Sequence, residues 1–122
     1  MIGEEDVISL QFASNYAISL IRLKRFEEAK SLMRKTLPVA RRVLSEGNDI
    51  MLRMRWTYAK ALYKDPATTL DDVREAVTTL EDAARSARRV LGRSHPLTTA
   101  IECELRKSRA ALRARETPST RA

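Results

Sequence analysis

The pentapeptide Ala40-Arg41-Arg42-Val43-Leu44 returns unchanged as Ala87-Arg88-Arg89-Val90-Leu91, 47 residues later. Further upstream, Tyr16-Ala17 returns as Tyr58-Ala59 at an offset of 42. A chain that repeats at such a period folds as a stack of like units, each burying its apolar flank on the next. The offsets differ by five residues, which must enter between Ala59 and the second pentapeptide. Lys64-Asp65-Pro66-Ala67-Thr68-Thr69 is the natural place for them, since it holds proline and turn formers and no apolar stripe.

Each copy divides into two helices, A and B. In the first copy, Phe26-Glu27-Glu28-Ala29 opens a B helix with apolar residues at Ala29, Leu32, Met33, Leu37, Ala40, Val43 and Leu44, spaced by three and four. Its counterpart carries Ala76, Leu80, Ala84, Ala87, Val90 and Leu91, and Thr69-Leu70-Asp71-Asp72 fits a capping box at its start. Gly47 and Gly92 follow the two Val-Leu pairs, where a left-handed residue closes a helix. The A helices fall at about 6–24 and 48–63, and a last helix at about 95–115. That last helix has a thin stripe of Ile101, Leu105 and Leu112, with Ser108 between and charge elsewhere, the pattern of a polar end cap. Pro38 lies inside the first B helix and predicts a bend there. The pattern therefore reads as an all-α solenoid of five helices over 1–116. Its units are 6–47 and 48–94, closed by the capping helix, with a frayed tail at 117–122.

Composition agrees, because 122 residues with six aromatics, three glycines and four prolines are too poor in strand and turn formers for a sheet protein. The net charge of +7 favours anionic partners. It is uneven: Glu4, Glu5 and Asp6 make the start acidic, and Arg106 to Arg121 holds six basic residues and one glutamate. Cys103 is alone, so no internal disulfide forms. No apolar stretch approaches the ~18 residues of a membrane span, and the acidic start is unlike a signal peptide. A cytoplasmic location is expected.

The unit resembles the tetratricopeptide repeats of the kinesin light chain type. The likeness is carried by Arg25-Phe26-Glu27-Glu28-Ala29, by Leu32-Met33-Arg34-Lys35, by Arg42-Val43-Leu44, and most specifically by the junction Arg89-Val90-Leu91-Gly92-Arg93-Ser94-His95-Pro96-Leu97-Thr98. The chain departs from that pattern in the five-residue insertion, in Pro38, and in Asn48-Asp49 where His-Pro would stand. The resemblance implies a right-handed solenoid and a scaffold that binds a peptide or protein in the concave groove lined by A helices. Two and a half repeats is short for such a stack, where roughly three are usual. Stability then comes from a longer array, from self-association through the open side of the first A helix, or from the cap.

Within the groove, the register places Arg53, Trp56 and Lys60 along one side of the second A helix, with Lys107 on the same predicted face. Together they make a basic floor with one aromatic, suited to an acidic peptide or a carboxylate. Trp56 alternatively packs between A helices, and any one of the charges alternatively belongs to an ordinary solvated face. Tyr16 and Tyr58 share a repeat position, which predicts core packing for both. His95, just before Pro96 at a helix start, reads as a cap, and Cys103 as a small half-buried residue. Glu27-Glu28 and Asp71-Asp72 complement helix dipoles. No phosphate loop, nucleophile elbow or metal-ligand spacing occurs, so neither enzymatic activity nor a cofactor or metal is expected. The other class of reading is electrostatic binding of nucleic acid or an anionic surface, against which stands the lack of aromatics interleaved with the basic residues.

Overall fold

In the computed structural model, which describes residues 4–116, five helices follow one another. They are α1 (Glu4–Arg22), α2 (Phe26–Val43), α3 (Asp49–Tyr63), α4 (Leu70–Val90) and α5 (Pro96–Glu116). No strand occurs among the described residues, and the tail at 117–122 lies outside them. The helices form antiparallel hairpins, α1 with α2 and α3 with α4. The A-type helices α1, α3 and α5 lie in a row, α3 touching both of the others. This is the α-solenoid arrangement.

The two offsets seen in the sequence reappear as burial. Ala29, Met33, Leu37 and Ala40 of α2 are buried, and so are Ala76, Leu80, Ala84 and Ala87 of α4, each exactly matched by the 47-residue shift. Leu10, Ala17 and Leu20 of α1 are matched by Leu52, Ala59 and Leu62 of α3 at 42. Each leucine or methionine so buried contributes about 1.5–3 kcal/mol of transfer free energy. Alanines recur among these buried positions, Ala17, Ala29 and Ala40 matched by Ala59, Ala76 and Ala87, and so small a side chain lets helices pack closely.

The extra residues do not all go into a loop. In the 47-residue register α4 begins one turn earlier than α2, so Leu70, Asp71 and Asp72 have no counterpart there. The remainder turns between α3 and α4, where the Ala67 N–H donates to Asp65 Oδ1 at 2.9 Å. The added turn reaches back to the preceding unit: Asp72 lies 3.1 Å from Lys30 Nζ and 3.5 Å from Arg34 Nη2, and Arg34 is also 3.3 Å from Glu75. Ion pairs thus tie α2 to α4. The Lys30–Asp72 pair is mostly buried, whereas Arg34 and Glu75 are about half exposed, where such a pair is worth under about 1 kcal/mol.

Helix ends follow local chemistry. Thr69 accepts from the Asp72 N–H at 3.1 Å, closing the expected cap. His95 Nδ1 accepts from the Leu97 N–H at 3.0 Å, and Asn48 Oδ1 accepts from the Ile50 N–H at 2.8 Å. Asn48 stands 47 residues before His95, so the departure from His-Pro keeps the cap with another acceptor. Gly92 has a left-handed φ of 92°.

Gly47 does not adopt a left-handed conformation. It is small for a different reason: a Cβ there would come within 2.4 Å of Val90 Cγ2. Val90, expected on the buried stripe, is instead exposed at the last position of α4. Helix α2 continues through Pro38 without a break.

Tyr16 corrects a further expectation. Tyr58 is buried, its hydroxyl donating to Glu75 and accepting from Arg34 Nε at 3.0 Å, whereas Tyr16 is 56% exposed. Glu28 takes the place of Glu75 beside it in a hollow of about 390 Å³, but nothing in the described residues replaces the α2 wall that covers Tyr58.

Candidate functional site

The row of A helices converges on one carboxylate. Leu97, Ile101, Glu104 and Ser108 lie on the face of α5 turned to α3 and α4, and all four are buried. Glu104 accepts from Trp56 Nε1 at 3.0 Å and from the Tyr63 hydroxyl, and Lys64 Nζ lies 3.6 Å from it. Burial alone would raise its pKa. The hydrogen bonds from Tyr63 and Trp56 and the charges of Lys64 and Lys60 outweigh that, so the carboxyl is held below its ordinary value. For Tyr63 both burial and its bond to Glu104 push the hydroxyl's pKa upward, keeping it a donor.

Above this anion lies a cluster of cations. Lys60 Nζ is 4.5 Å from the centroid of the Trp56 ring, within cation–π range. Burial pushes the Lys60 ammonium below its usual pKa; Glu104 pulls it back up, and Lys64, Arg22 and Lys107 press it down again. Burial is the largest cause of that lowering, and around Lys60 three neighbouring cations stand against the one carboxylate of Glu104. Such a surface gains by taking up an anion.

Of the residues picked from the sequence, the structure brings Trp56, Lys60 and Lys107 into one patch. Arg53 is exposed a turn away, in a separate hollow of about 220 Å³ at the seam of α1 and α3, with Gln11, Asn15 and Asp49. Trp56 is partly buried and serves as a strut between α3 and α5, with one face of its ring covered by Lys60. Cys103 is partly buried.

Sequence reasoning missed Glu104, Tyr63, Lys64 and Arg22. The signal for Glu104 was available, because a carboxylate at the third position of the stripe Leu97, Ile101, Glu104, Ser108 must find donors on the facing helix. Arg55 was also missed. It is buried and reaches Glu46 at 2.8 Å, while its Nε and Nη1 atoms have no partner.

Among the described residues no group of three or more His, Cys, Asp or Glu side chains is placed to hold a metal ion. No helix is long and apolar enough to cross a membrane. Four of the nine basic residues of α4 and α5 are in ion pairs: Arg74 with Glu116, Arg85 with Asp82, Arg88 with Glu102, and Arg109 with Glu81.

A tetratricopeptide repeat family model matches residues 10–48 and 68–97, more than half of the chain. The part it leaves between them is α3 and the turn after it, where most of the cationic patch lies. Neither the curated proteins nor the solved structures contain a match. With the helical hairpins, the repeated burial pattern and the capped junctions, this places the chain in the tetratricopeptide repeat family.

Proposed function

We propose that this repeat domain is a non-catalytic docking module whose A-helix groove binds an acidic peptide or protein segment. Tetratricopeptide repeats in general mediate protein–protein contacts, and the particular partner class is inferred from the patch. The observation that carries it is the crowding of Lys60 by Lys64, Lys107 and Arg22 over a Trp56 floor, with one internal carboxylate among them. A partner's carboxylate would complete the charge balance while its apolar neighbours pack on the indole. Arg53 extends the same side of α3 by one turn and would hold a second acidic residue. A cytoplasmic setting and the kinesin light chain type of repeat accord with this reading.

The nucleic-acid alternative finds less support. Four of the eight arginines of α4 and α5 are in ion pairs with carboxylates, and Trp56 is exposed only in part.

Fluorescence anisotropy with a labelled peptide alternating Glu and Leu, its Gln-for-Glu analogue, and a short single-stranded oligonucleotide tests the assignment. The Glu peptide should bind, and Lys60→Glu/Lys107→Glu should weaken it by about tenfold or more, consistent with loss of close charge pairs. Equal binding of the Gln analogue overturns the charge argument. Tighter binding of the oligonucleotide, falling steeply with salt, gives the surface to nucleic acid instead.

A further inference from the structure

We propose that the group this patch selects is a phosphoryl group carried on a peptide side chain, held by cations that reach it from three successive A helices. The inference rests on the groove reading above and narrows it from acidic segments at large to phosphorylated ones.

One ammonium in the patch is in an unusual position. Among the described residues four basic side chains are at least partly buried: Lys30, Arg55, Lys60 and Arg88. Lys30 pairs with Glu27 and Asp72, Arg55 with Glu46, and Arg88 with Glu102. Lys60 forms no ion pair among the described residues and lies instead over the Trp56 ring at 4.5 Å. The carboxylate near it is already committed: Glu104 Oε1 accepts from Trp56 Nε1 at 3.0 Å, and Oε2 accepts from the Tyr63 hydroxyl with Lys64 Nζ at 3.6 Å. Glu104 therefore joins α5 to α3 and leaves Lys60 without a partner in contact. A partly buried charge in that state carries a desolvation cost that a bound anion removes.

The cations around Lys60 do not follow one helix. Arg22 is in the last turn of α1, Lys60 in the last turn of α3 and Lys107 on α5, and the charges of Arg22, Lys64 and Lys107 all act on the Lys60 ammonium. Arg22 and Lys107 are exposed and, like Lys60, enter no ion pair among the described residues. Convergence of this kind suits an anion that is compact and carries more than one charge. A carboxylate offers one charge and two oxygens, whereas a phosphoryl group offers nearly two charges and three oxygens about a single atom. Its oxygens can be shared among Lys60, Lys107 and the planar fork of Arg22. Two glutamates on the same side of an extended segment stand ~7 Å apart and suit cations set in a line. Because Lys60 is partly buried, the phosphoryl group has to be carried in on a slim segment; a flat membrane surface does not reach it.

Fluorescence anisotropy with three labelled peptides of alternating serine and leucine tests this: one with a central phosphoserine, one with glutamate at two serine positions to match its charge, and one unmodified. The phosphopeptide should bind about tenfold tighter than the two-glutamate peptide, and the unmodified peptide weakest. Arg22→Gln and Lys107→Gln, on different helices, should each weaken the phosphopeptide by about fivefold or more with helical circular dichroism unchanged. Arg106→Gln removes one charge from the hollow that α5 shares with Arg88 and should leave the affinity within about twofold. A two-glutamate peptide that binds as tightly as the phosphopeptide overturns the phosphoryl assignment and leaves the acidic-groove reading standing, whereas no binding of either overturns both. Indifference to Arg22→Gln and Lys107→Gln, or an equal loss in Arg106→Gln, overturns the three-helix grip. Displacement of the phosphopeptide by anionic phospholipid vesicles gives the patch to a membrane surface and overturns the peptide assignment.

Discussion

Helices α1 and α3 occupy the same place in successive units and share their buried stripe, yet they differ on the opposite side. Leu10, Ala17 and Leu20 are buried in one, Leu52, Ala59 and Leu62 in the other. Across the helix, Phe12 and Tyr16 face outward while Met54 and Tyr58 have almost no exposure. In a stacked array a side chain's burial is set by the number of layers around it as much as by its own helix. The residue types follow: α3 carries Met51, Met54 and Thr57 where α1 carries Ser9, Phe12 and Asn15. The inner helix buries side chains on both flanks and keeps its charges at Arg53, Arg55 and Lys60, while the outer one has a polar fringe around its aromatic stripe.

The largest effect expected from this contrast comes from truncating the matched pair Met54 and Phe12. Met54→Ala should cost about 3 kcal/mol in urea denaturation, the usual range for emptying a filled core site. Phe12→Ala, measured in dilute protein, should change stability by no more than about 0.5 kcal/mol, as expected for an exposed residue. Equal costs at the two positions would mean that α1 is covered even in the single chain, and the comparison would fail.

A second test addresses the inner layer's polar centre, which α1 lacks. Glu104→Ala should cost about 2 kcal/mol, since the Trp56 N–H and the Tyr63 hydroxyl lose a shared buried acceptor. Its pH dependence has a defined sign. The carboxyl's pKa is lower in the folded protein than its ordinary value of 4.5, so the unfolded chain takes up the proton first. The stability that Glu104 contributes is therefore complete above about pH 4.5 and is lost as pH falls through the folded-state value. Glu104→Gln should flatten that acid limb in thermal melts recorded from pH 6 to about pH 3. An unchanged limb would assign acid sensitivity to other carboxylates.

How much could be read beforehand depended on whether a feature was local or supplied by another layer. The helices, their ends and the four-residue core of each B helix were legible because periodicity and caps are written within one helix. His95 could be assigned as a cap from its place before Pro96. Tyr16 was misjudged because its own register matches Tyr58 and only the absent neighbour distinguishes them. Glu104 was missed because its donors come from α3, 41 and 48 residues away. The inserted residues were located in a turn because Pro66 and Asp65 are conspicuous there. That part of them extends α4 became visible only from the contacts of Asp72 with Lys30 and Arg34. For the patch, Trp56, Lys60 and Lys107 emerged from helical spacing, whereas Arg22 and Lys64 join from the C-terminal ends of α1 and α3.

The smallest effect separates the ends of α1 and α3 themselves. Helix α1 turns into α2 within Leu23–Arg25, and so short a connection requires a left-handed residue: Lys24, with φ 61°. The Arg25 N–H then reaches Leu20 O at 2.8 Å and the Lys24 N–H reaches Ile21 O at 2.9 Å, satisfying the last carbonyls. Helix α3 is followed by Lys64 as its C-cap, one residue past its end, and the longer connection there lets the chain keep a right-handed φ of −83°. Left-handed backbone costs a residue with a Cβ about 1–2 kcal/mol, and glycine avoids that cost while losing more chain entropy on folding. Lys24→Gly should therefore stabilise the protein by about 0.5–1 kcal/mol. Lys64→Gly should instead destabilise it by about 0.5–1 kcal/mol, because the native conformation there favours any ordinary residue over glycine. Opposite signs in paired denaturant midpoints, with unchanged slopes, are the expected result. The same sign at both positions would show that the length of the connection does not dictate how these two equivalent helices end.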